Sequence, residues 1–395
     1  MTGKSLLILT ASEEISLLLQ KAAVKNGFVP FLLTSGLGLI SSFDNIKPDL
    51  MILDLDLEVG DIDGVELLNH FGKAQCKIPI MLLSAGDHKI LFSLNYIALE
   101  KKLNIIANMI YPFSAEEFEY KLSLTKHNLS VIDVEDLASA IENKHFILHY
   151  QPKIEIKTKK WIGVEVLIRW QPPGQRIIMP DDFISLAEES GLILPMTIWV
   201  IKQSFEDLLR FQSENLNLKI AVNLSSKLLS DIGFPDEVLR LAKEMNLNPE
   251  QICFEVTESA TSKQPENVLE VLLRLRLKGF SLSIDDFGTG YSSLVELQRL
   301  PFNEMKIDKS FIMGIESTEM NQSIVKAILY LGHTLGLTLV AEGVENVEAL
   351  SLLTELNCDV AQGYLISPAL PIDELRKWHK KNIADDFTWK PFESV

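Results

Sequence analysis

Short apolar runs alternate with amphipathic, helix-period segments along almost the whole of this 395-residue chain, and that alternation restricts it to α/β architectures built on parallel sheets. In the first 126 residues the runs fall at 6–9, 29–33, 50–53, 78–83 and 105–110, with helical patterns such as 14–25 and 65–71 between them. Five βα units of this size predict a doubly wound, flavodoxin-like (βα)5 domain over residues 1–126. A helical pattern at 134–142 leads into a second domain, residues 127–384. It opens with strand-like stretches at 146–156 and 161–170 around a polar turn at 157–160, which reads as a hairpin. Six further apolar runs follow, at 219–222, 252–256, 282–284, 304–307, 338–340 and 360–365. Eight strands in about 250 residues match a TIM-type (β/α)8 barrel, except that a hairpin start makes the first strand antiparallel. Residues 385–395 show no periodicity and are assigned as a tail.

Composition excludes several function classes. No apolar run reaches the roughly 18 residues that span a bilayer. Residues 6–9 are too short for a signal-peptide core and run into Glu13 and Glu14, so a cytoplasmic protein is expected. Cys76, Cys253 and Cys358 lie far apart, which suggests neither a disulfide framework nor a zinc site. A net charge of -17 argues against duplex nucleic acid as a partner. An anionic substrate would need the sign reversed locally, and bound divalent metal is the usual means.

In a parallel barrel the active site forms where strands end and their loops converge. Nearly every strand expected in the second domain ends in a polar group. Within 161–170, Glu165, Leu167 and Arg169 share one face by the two-residue period, and Val164, Val166 and Ile168 take the other. Asn223 closes the next strand. Glu255 and Thr257 share a face on the one after, with Glu258 just beyond. Asp285-Asp286 runs into Phe287-Gly288-Thr289-Gly290-Tyr291, Lys306 and Asp308 share a face, Glu342 follows Leu339-Val340-Ala341, and Gln362 sits in the last strand. An acid after a strand usually caps a helix or faces solvent. Asp181-Asp182, between Pro180 and a helical pattern, is read as such a cap, and Asp385-Asp386 as tail. Glu165, Glu255, Asp285, Asp286 and Glu342 in one barrel mouth differ, because converging carboxylates repel one another unless cations neutralise them. Oxygen donors from Asp, Glu and Asn suit Mg2+ or Mn2+ rather than zinc. Such a set suffices for two metals about 3.5–4 Å apart, the arrangement that cuts phosphodiesters.

These residues bring a family into view. Glu165-Val166-Leu167-Ile168-Arg169-Trp170 resembles the signature of the EAL-domain cyclic di-GMP phosphodiesterases, with Val166 in place of Ala. So do Asn223-Leu224-Ser225, Glu255-Val256-Thr257-Glu258, residues 285–293, Lys306-Ile307-Asp308, residues 341–345 and Gln362-Gly363-Tyr364, in the family's order and spacing. The resemblance implies hydrolysis of cyclic di-GMP to the linear dinucleotide with two Mg2+ or Mn2+ ions. By the same resemblance Glu165, Asn223, Glu255 and Asp285 hold the metals, with Asp286 and Glu342 at the pair. Glu342 holds the attacking water or accepts its proton, and Lys306 orients that water or stabilises charge growing on the phosphoryl oxygens. Gln151, Leu167 and Arg169 contact the dinucleotide, Arg169 through phosphate. Glu258 anchors the Gly-rich loop after Asp286, a loop that in the family also helps form a dimer face, so a homodimer is expected. Gln362, which could equally satisfy backbone groups inside the barrel, is assigned to the substrate site.

The first domain resembles a response-regulator receiver. Residues 48–55 followed by Asp63-Gly64-Val65-Glu66-Leu67-Leu68 match the phospho-acceptor strand and loop, with Asp54 as the acceptor, Ser84 as the switch hydroxyl and Pro112-Phe113 as the last loop. Three departures stand against phosphorylation. The family's acid pair after the first strand is Thr10 and Ala11, its lysine before Pro-Phe is Tyr111, and the loop from Asp54 to Gly64 is about two residues long in excess. Without metal ligands and lysine, phosphoryl transfer to Asp54 loses its charge neutralisation. The expected role is interaction, with an upstream signalling protein as a partner, or dimerisation.

Two other readings stay open: a receptor that binds cyclic di-GMP without cutting it, and a protein-interaction module. A cyclase domain is excluded because no Gly-Gly-Asp/Glu-Glu-Phe run occurs, and the seven histidines form no His-Asp dyad with metal-site spacing.

Overall fold

The computed structural model describes residues 4–55, 62–84, 93–94, 97–98, 100–111, 113–115, 118–119, 121–122, 134–258, 260, 267–289 and 294–384. The tail at 385–395, Pro112, most of the loop after Asp54 and residues 290–293 of the Gly-rich loop lie outside the described residues. The chain divides into two compact units, 1–131 and 132–395.

In the first unit β1 (Lys4–Leu9), β2 (Phe28–Leu33), β3 (Leu50–Asp54), β4 (Ile80–Ser84) and β5 (Ile105–Ile110) pair in parallel in the order β2-β1-β3-β4-β5. This is the flavodoxin-like order. Side-chain alternation splits the core in two. Leu7, Leu9, Met51 and Leu53 pack with Leu67 and Phe71 of the helix α3 (Gly64–Lys73), whereas Leu6, Ile8, Leu50 and Ile52 pack with Leu19 and Ala23 of the helix α1 (Glu13–Lys25). Burial on both faces explains why β3 and β4 read as unbroken apolar runs. Polar side chains start the helices: Ser12 accepts from the N–H of Ile15 and Asp63 from that of Glu66.

The second unit opens with the helix Val134–Glu142. Eight strands then close a barrel: β6 (Phe146–Glu155), β7 (Trp161–Trp170), β8 (Lys219–Asn223), β9 (Ile252–Thr257), β10 (Ser281–Phe287), β11 (Glu304–Ile307), β12 (Thr338–Ala341) and β13 (Val360–Ala361). Pairing of β13 with β6 completes the ring, and β6 runs antiparallel to both β7 and β13 while the other ring pairings are parallel. A short β14 (Leu370–Pro371), not anticipated from the sequence, pairs with β6 on its other length.

Alternation along most of the barrel strands places the site. Val164, Val166, Ile220, Val222, Phe254, Val256, Leu282, Ile284, Met305, Ile307 and Leu339 all join the main apolar cluster together with helix residues such as Phe205, Leu208 and Leu272. The intervening residues, which face the barrel axis, are polar or small: Glu165, Ala221, Cys253, Glu255, Ser283, Asp285 and Lys306 among them. A parallel barrel interior is ordinarily filled by branched apolar side chains. Here most of the apolar layer lies outside the ring, and several charged side chains face the axis.

Two local expectations are corrected. The last strand does not run to residue 365 but stops at Ala361, so Gln362 follows it. Beyond that point the backbone turns against the segment after β12, with Val344 N–H donating to Gln362 O and Leu365 N–H to Val344 O. Gly363 permits this approach, since a Cβ there would stand 2.2 Å from Val344 O. Asp181-Asp182 does not stand at the N-cap of the following helix. It falls in the one-turn 3-10 helix Pro180–Asp182, and the helix Ile184–Ser190 begins after Phe183 without a side-chain cap.

Candidate active site

Five carboxylates from four strands gather at the end of the barrel where the parallel strands finish. Ligand atoms of Glu165, Glu255 and Asp285 lie within 4.8 Å of one another, and so do those of Asp285, Asp286 and Glu342. Asp285 belongs to both groups. The two neighbouring aspartates can face one site because the β10–β11 register shifts between Ile284 and Phe287 and Asp286 takes φ 55°, in the left-handed region.

Lys306, 1 % exposed, occupies the middle of the cluster. Its Nζ lies 2.6 Å from Glu342, 3.0 Å from Asp285, 3.1 Å from Glu255 and 3.4 Å from Glu165. Two amides hold Glu165: Asn223 Nδ2 donates to its Oε1 at 3.1 Å and Gln362 Nε2 to its Oε2 at 2.5 Å. Gln362 Nε2 also donates to Gln151 Oε1 at 2.9 Å, and Gln151 Nε2 to Ser367 O at 3.2 Å. Glu258, fully enclosed, accepts from the N–H of Gly288 at 2.9 Å. Arg169 is buried on the same face of β7 as Glu165, and Leu167 lies half-buried between them. Asp308 caps the next helical turn by accepting from Ser310 N–H.

Burial and local charge separate the carboxylates. Burial works to raise the Glu165 pKa, but Lys306 and Lys153 together with the two amides hold it down at about 2. Burial pushes Glu255 up to about 7 against the pull of Lys153 and Lys306. Glu342 is raised to about 8 by burial, and Asp286 to about 6 by burial and by Asp285 beside it.

The donor set fits divalent cations. Two oxygen triads share one carboxylate, the Asn223 amide nitrogen is turned to Glu165, and Gln362 Oε1 is buried without a hydrogen-bond partner among the described residues. The triads offer carboxylate oxygens, which suit Mg2+ or Mn2+. Beside the cluster opens a cavity of about 720 Å3. Asn223, Asp285 and Asp286 line it together with Pro180, Ile184, Met196 and Val200, a mix of polar groups and apolar wall of the kind that holds a small ligand in one orientation.

Sequence reasoning missed Lys153 and Glu304. Lys153 Nζ lies 2.6 Å from Glu255 Oε1 and 3.1 Å from Glu304 Oε1. The available signal was its position two residues after Gln151, on the same face of the opening strand.

In the first unit Asp54 is buried and accepts from Thr10 Oγ1 at 2.7 Å and from Tyr111 OH at 3.3 Å. Both partners are residues that replace the receiver family's acid and lysine. Hydroxyl groups therefore stand around the carboxylate where the receiver chemistry requires charge.

Comparison with known proteins places the family match on the second unit. The EAL-domain profile matches residues 134–369. The bifunctional diguanylate cyclase/cyclic di-GMP phosphodiesterase MucR of Pseudomonas aeruginosa is 40% identical over 241 residues, 61% of this chain and 35% of that protein. The cyclic di-GMP phosphodiesterase PdeR of Escherichia coli is 36% identical over 250 residues, 62% of this chain and 37% of that protein. The chain thus spans little more than a third of the length of these relatives. Among solved structures, the PaMucR phosphodiesterase in complex with c-di-GMP superposes with a TM-score of 0.59 at 40% identity, covering 61% of this chain and 98% of that one. An EAL-domain protein from Listeria monocytogenes gives a TM-score of 0.57 at 30% identity, covering 63% and 98%.

Proposed function

This chain belongs to the EAL-domain family, and we propose that its barrel hydrolyses cyclic di-GMP to linear pGpG with the help of two divalent cations. The observation that carries this reading is the pair of oxygen triads hinged on Asp285. Glu165, Glu255 and Asp285 would hold one cation, and Asp285, Asp286 and Glu342 the other, with Asn223 completing the set. Bound there, Mg2+ or Mn2+ supplies charge neutralisation at the phosphodiester and a lowered pKa for a coordinated water.

The remaining steps fall to the chain's own side chains. Arg169 pairs with a phosphate, while Gln151, Leu167 and Gln362 contact the dinucleotide along the cavity. Glu342 takes a proton from the attacking water. As the water oxygen bonds to phosphorus, one P–O bond of the ring breaks. The 3′ oxygen leaves as a hydroxyl, the proton that Glu342 took from the water being returned to it, and a 5′ phosphate remains. Lys306 stabilises the charge that grows on the phosphoryl oxygens. Glu258 keeps the loop after Asp286 in place through Gly288.

The first unit would act on this activity by protein contact rather than by phosphorylation, and a homodimer completes the reading. Comparing turnover and sedimentation of the full chain with those of residues 127–395 tests both. The central test is hydrolysis itself. Purified full chain with Mg2+ should linearise cyclic di-GMP, and Glu165→Ala should abolish the reaction. Tight binding without turnover in both Mg2+ and Mn2+ would instead support a receptor.

A further inference from the structure

Below the carboxylate cluster the barrel holds a second buried ammonium, Lys153, that the reaction does not call for. It sits on the inward face of β6 and reaches Glu255 on β9 and Glu304 on β11. β7 and β8 lie between β6 and β9 on one side of the ring, β12 and β13 between β6 and β11 on the other. The side chain therefore crosses the barrel. Small inward residues make room for it: Gly163, paired with Lys153 across β6–β7, then Ala221, Cys253 and Ser283. A Cβ at Gly163 would itself stand 2.7 Å from Lys219 O.

The two oxygens of Glu255 are divided between the two lysines. Oε1 takes Lys153 at 2.6 Å, and Oε2 takes Lys306 at 3.1 Å. Since Lys306 also contacts Glu165, Asp285 and Glu342, Oε2 is the oxygen on the side of the cation site. Glu255 is fully buried. Burial disfavours an ammonium at Lys153, but Glu255 and Glu304 outweigh it and raise the lysine's pKa above its ordinary value.

We propose that Lys153 is a positioning residue for the cation site: from the barrel floor it holds Oε1 of Glu255, so that Oε2 alone is presented to a divalent cation in a fixed orientation. The inference rests on the metal-dependent reading of the site given above. Partners that orient a metal ligand are worth about 10–100-fold in metal affinity.

The test is calorimetric titration of Mn2+ into the full chain without substrate. Lys153→Met is expected to bind Mn2+ about 10–100-fold more weakly than wild type. The Mg2+ needed for half-maximal turnover should rise with it, while KM for cyclic di-GMP at saturating Mg2+ stays unchanged. Glu304→Gln leaves the Lys153–Glu255 pair in place and should keep wild-type Mn2+ affinity. Because Lys153→Met strands Glu304, the double variant Lys153→Met/Glu304→Gln is measured beside it and should show the same weakening. A merely structural lysine would lower Tm and leave Mn2+ affinity untouched, and wild-type affinity in either folded Lys153 variant overturns the proposal. If wild type binds Mn2+ yet does not cut cyclic di-GMP, the phosphodiesterase reading fails and the role of Lys153 stands. Active wild type with metal-insensitive Lys153 variants gives the reverse.

Discussion

Asp285 and Asp286 are neighbours in the chain, yet both turn a carboxylate into one cluster with Glu342. On a regular strand they would point to opposite faces. The register shift in β10 and the left-handed φ of Asp286 rotate the second side chain back, and Asp286 N–H donates to Asp285 Oδ1 at 2.9 Å across the bend. A non-glycine residue at positive φ costs of order 1–3 kcal/mol and persists where the surroundings demand it. Here the demand is a shared oxygen site.

Because Asp285 alone belongs to both triads, its loss should outweigh that of Asp286. Asp285→Asn is expected to lower kcat by about 10²–10³-fold, the effect of removing one preorganised electrostatic group, and Asp286→Asn by less. Steady-state kinetics at saturating Mg2+ checks the order. Equal losses would remove Asp285 from its central place.

The raised pKa values imply a coupling between pH, cations and stability. Glu255, Glu342 and Asp286 titrate at about 7, about 8 and about 6 in the cation-free fold, above their unfolded values. The folded protein therefore holds protons that the unfolded chain has already released. Their contribution to stability is full below the unfolded values and is lost as pH rises through the folded ones. Glu165, held at about 2, is ionised across that window and adds no slope there. With EDTA, Tm should fall between about pH 5 and pH 8. Cations displace the same protons, so Mg2+ should raise Tm more at the upper end. Thermal scans with EDTA or Mg2+ decide it, and a larger Mg2+ effect at the acid end is the contrary result.

Gly363→Ala should disturb the site from its rim. The added Cβ would stand 2.2 Å from Val344 O and 2.3 Å from Val344 N, both backbone atoms that cannot swing aside. A cost of about 1–3 kcal/mol is expected from the overpacking, read as a lower Tm. Gln362 would shift with the backbone, so KM should rise as well.

In the first unit, Asp54 should take no phosphate from acetyl phosphate in the presence of Mg2+. Thr10 and Tyr111 already contact its carboxylate, and neither carries the charge that phosphoryl transfer needs. Intact-mass measurement of the full chain is the check. Stoichiometric addition of one phosphoryl group, absent in Asp54→Asn, would restore the receiver chemistry.

The sequence by itself determined the two α/β units, the strand order of events along the chain and the acids that end the strands. Those features rest on local periods, two for a strand and about 3.6 for a helix, so residues 105–110 and 161–170 were placed as strands without reference to anything distant. The same period put Glu165, Leu167 and Arg169 on one face and Val164 and Val166 on the other. The tertiary structure decided what no local period encodes. The turn of Asp286 depends on a register shift against β11, the end of β13 on close contact between Gly363 and Val344, and the reach of Lys153 on ring closure. Glu255 is 102 residues from Lys153 and Glu304 is 151, so only closing the barrel brings these charges together across its axis.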